Sequence, residues 1–255
     1  MAKVITVANQ KGGVGKTSTV TALIMGLSSK GFKTLLIDID PQGNATFAMA
    51  ADDTKAGIYD ALKAIPDTID TIQTTSQGDI IASNLLLTGA DMEFTATGRE
   101  YLLRDIIKPI RKDYDYIVID TPPTLGILTI NALTAADDII ITMGADIFSL
   151  QGLSQLYKTI SKVRQYCNAN ANIAGLLITR YSNRSILSRE LKETIEEAAK
   201  QLNTKLFNTI IREGIAVKEA QAQQENLFIN APKSNPAIDY LAFIGEYLEG
   251  EQSNG

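Results

Sequence analysis

The sequence predicts one α/β domain over residues 1–255, built on a single doubly wound, mainly parallel sheet with helices on both faces. Three observations carry this expectation. Short β-like runs alternate with helical patterns along the 255 residues, without repeats, low-complexity tracts or long linkers. The strand candidates are nearly continuous apolar runs, as strands covered on both faces should be. The first of them, Val4–Ala8, leads through a glycine-rich loop directly into a helical pattern.

That loop is Gln10-Lys11-Gly12-Gly13-Val14-Gly15-Lys16-Thr17-Ser18, and the helix behind it is expected from about Lys16 to Lys30. Strand, glycine loop and helix in this order are what a phosphate-binding loop requires. The glycines let the backbone curl and present successive N–H groups to phosphate oxygens. The helix adds the positive end of its dipole. Lys16 is placed to reach the β- and γ-phosphates, and the Thr17 hydroxyl to ligate Mg²⁺. Gln10 occupies the position where the strict G-x-x-x-x-G-K-[ST] pattern has its first glycine; a lysine and a glycine pair follow it.

The second strand, Thr34–Ile39, ends in Asp40-Pro41-Gln42-Gly43-Asn44, so a loop lies at its carboxyl end, where open α/β sheets bind ligands. Residues 45–115 are less legible. Short helices are expected over Gly57–Lys63 and Leu102–Arg111, weak strands over Thr68–Ile72 and Asp79–Ala82, and a loop over Thr95–Gly98. Tyr116-Ile117-Val118-Ile119-Asp120 is an apolar strand ending in a carboxylate, the Walker B arrangement for holding Mg²⁺. Thr121–Gly126 behind it would form a segment whose position depends on the γ-phosphate. Asp138–Met143 and Ile173–Thr179 read as further buried strands, and a short segment over Leu206–Ile211 precedes Arg212-Glu213-Gly214. Helices are expected over about Ser149–Tyr166, Ser185–Gln201 and Ala216–Gln223. In the first of these Leu150, Leu153, Leu156, Ile160 and Val163 form an apolar stripe. Asn235-Pro236 opens a last helix running to about Leu248. Residues from about 250 to 255 read as a polar, frayed tail.

Composition excludes several classes. The chain has no histidine, so catalysis must proceed without an imidazole base. A single cysteine, Cys167, fits a reducing compartment and cannot make an internal disulfide. No apolar run reaches the length of a membrane span. Met1-Ala2-Lys3 leads at once into the first strand, so no signal peptide is expected. The net charge of −5 argues against a globally basic nucleic-acid coat and leaves room for a local basic patch.

The K-G-G-V-G-K-T string resembles the deviant phosphate loop of the ParA/MinD group of ATPases. Together with D-I-D-P-Q-G-N after the second strand and I-V-I-D-T-P-P at the third, its order and spacing resemble the small, Soj-like ParA partition proteins over essentially the whole chain. The resemblance implies ATP and Mg²⁺ as cofactors. It also implies an ATP-sandwich homodimer that binds double-stranded DNA nonspecifically and is stimulated by a ParB-type centromere-binding partner, in the cytoplasm and on the nucleoid. Lys11 would reach across the dimer to the partner's phosphates, as an arginine finger does elsewhere. Lys11, Lys16 and Asp40 would be catalytic, Asp40 by orienting the attacking water. Gly12, Gly13, Val14, Gly15, Lys16, Thr17 and Ser18 would hold the phosphates. Thr17, Asp38, Asp40 and Asp120 would serve the metal, and Thr179, Arg180, Ile211 and Arg212 the adenine side.

Arg189, Lys218 and Arg184 fall in the region from which this family draws its DNA contacts. From Arg180 to Lys218 the chain carries eight basic and five acidic residues, which charge alone reads equally as a solvated, charge-mixed helix face. The acidic end, with Glu246, Glu249 and Glu251, is unlike the basic membrane helix of MinD, so no membrane contact is expected. One cysteine excludes the nitrogenase iron protein, and with about ten residues before the loop no helix-turn-helix and no operator-specific repression are expected. Two other readings stay open: a ParA-like positioner of a protein cargo, and a metabolic ATP-dependent ligase or kinase with the same loop.

Overall fold

The computed structural model describes the backbone of residues 1–64, 67–144, 147–182 and 186–254, and the side chains of these residues apart from 147–151, 186–191 and 252–254. The chain begins with β1 (Lys3–Ala8), α1 (Lys16–Ser29), β2 (Thr34–Asp38), α2 (Asn44–Ala48) and α3 (Ile58–Leu62). It continues through β3 (Ile72–Thr75), β4 (Gly78–Ile81), α4 (Ala90–Glu93), α5 (Leu102–Ile110), β5 (Tyr116–Asp120) and α6 (Ile127–Ala135). Then come β6 (Asp138–Gly144), α7 (Ile147–Tyr166), β7 (Asn172–Thr179), α8 (Ile186–Gln201), α9 (Ile215–Gln223), α10 (Leu227–Asn230) and α11 (Asn235–Asn254).

Among the described residues seven strands form one sheet, ordered β3-β4-β2-β5-β1-β6-β7. All neighbours are parallel except β3 and β4, which form an antiparallel edge. Strand periodicity then sorts the side chains between two faces. Ile5, Val7, Leu36, Val118, Ile140 and Leu177 pack with α1, α9 and α11. Val4, Leu35, Ile37, Ile117 and Ile119 point the other way, onto α3, α5 and α6. Ile139, Ile141, Leu176 and Ile178 complete that second face beneath α7 and α8. The expected stripe of α7 is buried there at Leu153, Leu156, Ile160 and Val163; the Leu150 side chain lies outside the described residues. Gly26 brings α1, which carries the glycine loop, close against α11: a Cβ at that position would collide with Ile244 Cδ1.

Several elements differ from expectation. Thr68–Thr71 is a 3-10 turn and the strand follows it at Ile72–Thr75. The Thr71 hydroxyl donates back to the Thr68 carbonyl at 2.7 Å, a side-chain closure that outcompetes extension. Leu206 makes one isolated parallel bridge to Leu176 of β7, and Arg212 another to Tyr181 just past that strand. Helix α6 carries no polar stripe to reveal it, because Thr129, Asn131 and Thr134 are buried along with its apolar residues. Its first N–H is satisfied from elsewhere, Ile127 N donating to Asp91 Oδ1 at 2.7 Å. Helix α11 continues past Leu248 through most of the stretch read as a tail. Glu251 there accepts from the Tyr116 hydroxyl at 2.9 Å, and Tyr247 donates to Asp138 at 2.8 Å. No helix among the described residues is long and apolar enough to cross a membrane.

Candidate functional site

Strand order brings the chemistry together. β1 lies between β5 and β6, so the loop that follows it opens at the point where the winding reverses. In the ladders Asp120 stands opposite both Val7 of β1 and Asp38 of β2. The ends of β1, β2, β5 and β7 thus deliver the glycine loop, Asp38 and Asp40, Asp120, and Thr179 with Arg180 to one edge of the sheet.

The glycine loop is held by its carbonyls. Asn9 is buried between β1 and β6, its amide donating to the Thr142 carbonyl while its Oδ1 accepts from Lys11 N at 2.8 Å. Lys16 Nζ donates to the Lys11 carbonyl at 3.1 Å. Thr179 Oγ1 donates to the Val14 carbonyl at 2.8 Å, and Arg180 Nη1 to the Gly13 carbonyl at 2.7 Å. Gly13 and Gly15 have φ of 74° and 73°, a region that disfavours a side chain, and a Cβ on Gly15 would press on Thr179 Oγ1 at 3.3 Å. Because a trans peptide directs C=O and N–H oppositely, engaging the carbonyls of Lys11, Gly13 and Val14 turns the N–H groups of Gly12, Val14 and Gly15 away from those partners. Successive N–H groups held in this way make an anion-binding concavity.

The carboxylates divide into two kinds. Asp38 is fully buried, and it accepts from Thr46 N and Thr46 Oγ1 at 2.8 Å each and from Asp40 N at 3.0 Å. Burial pushes its carboxyl up to about 6, against those hydrogen bonds. Asp120 is also fully buried, and burial together with the neighbouring Asp38 charge raises it well above the usual carboxylate range. One of its oxygens accepts from the Thr17 hydroxyl at 2.7 Å; the other, Oδ1, is buried without a hydrogen-bond partner. A buried, unsatisfied carboxylate oxygen beside a hydroxyl fits a hard divalent cation. Among the described residues no group of three or more His, Cys, Asp or Glu side chains could hold a metal alone. That suits Mg²⁺, which takes one or two protein oxygens and completes its shell from phosphates and water. Asp40 accepts from Gln42 N at 3.0 Å; burial raises its carboxyl, and Lys16 draws it back. Lys16 is itself buried, which lowers its ammonium, and the charges of Asp120 and Asp40 oppose that fall.

A pH effect follows from Asp38. With the folded pKa at about 6 against an ordinary 3.8, the folded chain binds more protons than the unfolded chain between those values. Stability of the ligand-free protein is therefore expected to fall as pH rises from about 4 to 6, by on the order of 2–3 kcal/mol from this group. Thermal melting across that window should show the slope, and Asp38→Asn should reduce it, the raised Asp40 and Asp120 carboxyls keeping the rest; an equal slope in the variant would contradict the assignment.

Behind the loop lies a cavity of about 510 Å³. Gly12, Gly13, Gly15, Lys16, Thr17, Ser18 and Asp40 line it, and so do Thr179, Arg180, Ile211 and Arg212 from the adenine-side expectation. Arg212 spends its guanidinium on Asp239, at 2.8 and 2.6 Å, which pins this wall to α11. Lys218, expected on DNA, is exposed at the rim of the same cavity. Arg184 and the Arg189 side chain lie outside the described residues, although Arg189 falls within α8. Reading the sequence missed Phe47, Gln221 and Tyr240 in the cavity wall. It also missed Thr46 and Ser83: Ser83 N donates to Thr46 Oγ1 at 2.8 Å and Ser83 Oγ to the Asp40 carbonyl at 2.6 Å, bracing the Asp38–Asp40 turn. No local pattern marks these residues.

Sheet order, carbonyl-braced glycine loop and paired aspartates define a P-loop nucleotide-binding domain. A family model described as an AAA domain matches residues 2–173. The sporulation initiation inhibitor protein Soj of Bacillus subtilis is 39% identical over 251 residues, spanning 96% of this chain and 98% of its own. The chromosome partitioning protein ParA of Myxococcus xanthus is 34% identical over 252 residues, 97% of this chain and 88% of its own. Among solved structures, cobyrinic acid a,c-diamide synthase from Mycobacterium smegmatis with bound ATP analog and magnesium matches with a TM-score of 0.87. It is 31% identical and covers 100% of this chain and 98% of its own. The chain belongs to the ParA/Soj family.

Proposed function

We propose that this chain is a magnesium-dependent ATPase that pairs with a second copy around two ATP molecules and in that state holds duplex DNA without regard to sequence. Turnover by the isolated chain is slow, a ParB-type partner stimulates it, and the dimer acts in the cytoplasm on the nucleoid to move chromosome, plasmid or mobile-element DNA. The observation that carries the reading is the loop's division of labour between two lysines. Lys16 is buried and drawn in by the Lys11 carbonyl. Lys11 is half-buried, ahead of two exposed glycines, and around a Cβ at Gly12 there is open space. The near full-length likeness to Soj supports the same role.

In this reading Gly12–Ser18 cradle the phosphates, and Thr17 and Asp120 hold magnesium with support from Asp38 and Asp40. Magnesium, when bound, neutralises charge on the β- and γ-phosphates. Asp40 orients the attacking water, and Lys11 supplies a cation to the partner's nucleotide. Thr179, Arg180, Ile211 and Arg212 form the adenine-side wall, and Arg184, Arg189 and Lys218 contact DNA phosphates. ATP then works as a switch because its binding energy is realised only in the dimer.

The test is retention on unrelated duplex DNA with ATP and magnesium. Retention is expected with ATP, to be absent without it, and to weaken as salt rises because counterions are released at each phosphate contact. The likeness to cobyrinic acid a,c-diamide synthase favours a second reading, a metabolic ATP-dependent enzyme. Absent or ATP-independent retention would turn the assignment toward it.

A further inference from the structure

We propose that Arg180, oriented from across the cavity by Glu213, is a positioning residue that sets the phosphate loop for the β-phosphate before nucleotide arrives. The inference rests on the nucleotide reading of this site and assigns Arg180 a task other than contact with the adenine side.

Arg180 follows β7 with φ of 53°, a left-handed conformation rare for a residue with a side chain. The turn is fixed on its far side, where Tyr181 N donates to the Ile211 carbonyl and Glu213 N to the Tyr181 carbonyl, both at 3.0 Å. Its guanidinium uses two nitrogens at once. Nη1 donates to the Gly13 carbonyl at 2.7 Å, and Nη2 to Glu213 Oε1 at 3.1 Å. All three residues line the nucleotide cavity, so the link spans it from the loop to the segment before α9.

The consequence falls on one peptide plane. Holding the Gly13 carbonyl outward aims the Val14 N–H in the opposite sense. Thr179 does the same to the next plane through the Val14 carbonyl. Two consecutive donors of the concavity are thereby set from the end of β7, without the arginine itself touching a phosphate. In P-loops these backbone donors serve the α- and β-phosphates, which ATP and ADP share. Positioning through the peptide therefore acts on both nucleotides alike, whereas a guanidinium laid on the γ-phosphate acts on ATP alone. The ion pair itself is half-exposed on both sides, at 51% and 49%, so Glu213 orients the fork more than it stabilises the fold.

The experiment titrates fluorescent ATP and ADP analogues, with magnesium, into the full chain and into Arg180→Ala, Arg180→Lys and Glu213→Gln. Wild type is expected to bind both. Arg180→Ala should weaken both by about tenfold and by the same factor, the size of a lost charge-assisted hydrogen bond. Arg180→Lys, which keeps one donor and the charge, should recover part of the loss, and Glu213→Gln should cost about twofold. Unchanged affinity in Arg180→Ala would overturn the proposal, and so would a loss confined to ATP. A wild-type chain that binds neither nucleotide would overturn the nucleotide reading itself. Melting curves of the three variants separate an effect on the loop from loss of the fold, and a Lys variant that recovers affinity excludes a merely structural defect.

Discussion

Asp40→Ala is expected to bind ATP within about twofold of wild type and to lose between ~10² and ~10⁴ in turnover, the range spanned by a positioned acid–base group. The fold should tolerate the change. The Asp40 side chain accepts from Gln42 N within its own turn, while the Asp40 main chain stays held by Asp38 and Ser83. Phosphate release measured beside nucleotide affinity separates the two effects. An ATP-loaded, DNA-bound dimer should accumulate in the variant. Undiminished turnover would remove Asp40 from the reaction.

Lys11→Ala is expected to abolish the dimer and to lower turnover by ~10³ or more, the scale of an arginine finger withdrawn. The main-chain ties of Lys11 should survive. Its N–H donates to Asn9 and its carbonyl accepts from Lys16, and alanine keeps both. Nucleotide affinity of the single chain should therefore change little. Mixing offers a sharper check. A Lys11→Ala chain retains its own Asp40, and an Asp40→Ala partner can lend it Lys11, so the mixture of two inactive variants should regain turnover. A mixture as inactive as its components would contradict a cation supplied in trans.

How far the sequence reveals this site depends on how local each feature is. The glycine loop, the strand ends at Asp38 and Asp120, and Lys16 are visible because an apolar run, a glycine pair and a carboxylate sit next to one another in the chain. That the sheet is mainly parallel was legible from the largely apolar runs of its strands, which match strands covered on both faces. What stays hidden is long-range. The Ser83–Thr46 link joins residues 37 apart and the Arg180–Gly13 link residues 167 apart, and neither leaves a pattern in either segment. Helix α6 was hidden for the opposite reason: buried all round, it shows no polar stripe. Arg212 lines the cavity while its charge goes elsewhere, to Asp239, a pairing no local pattern reveals.

The measurement closest to the centre of this account is solution mass. Light scattering of the full chain with a non-hydrolysable ATP analogue and excess magnesium should give twice the monomer mass, and the monomer mass with ADP. A chain that remains monomeric with the analogue bound would contradict the shared-nucleotide dimer, and the DNA-binding state proposed to depend on it.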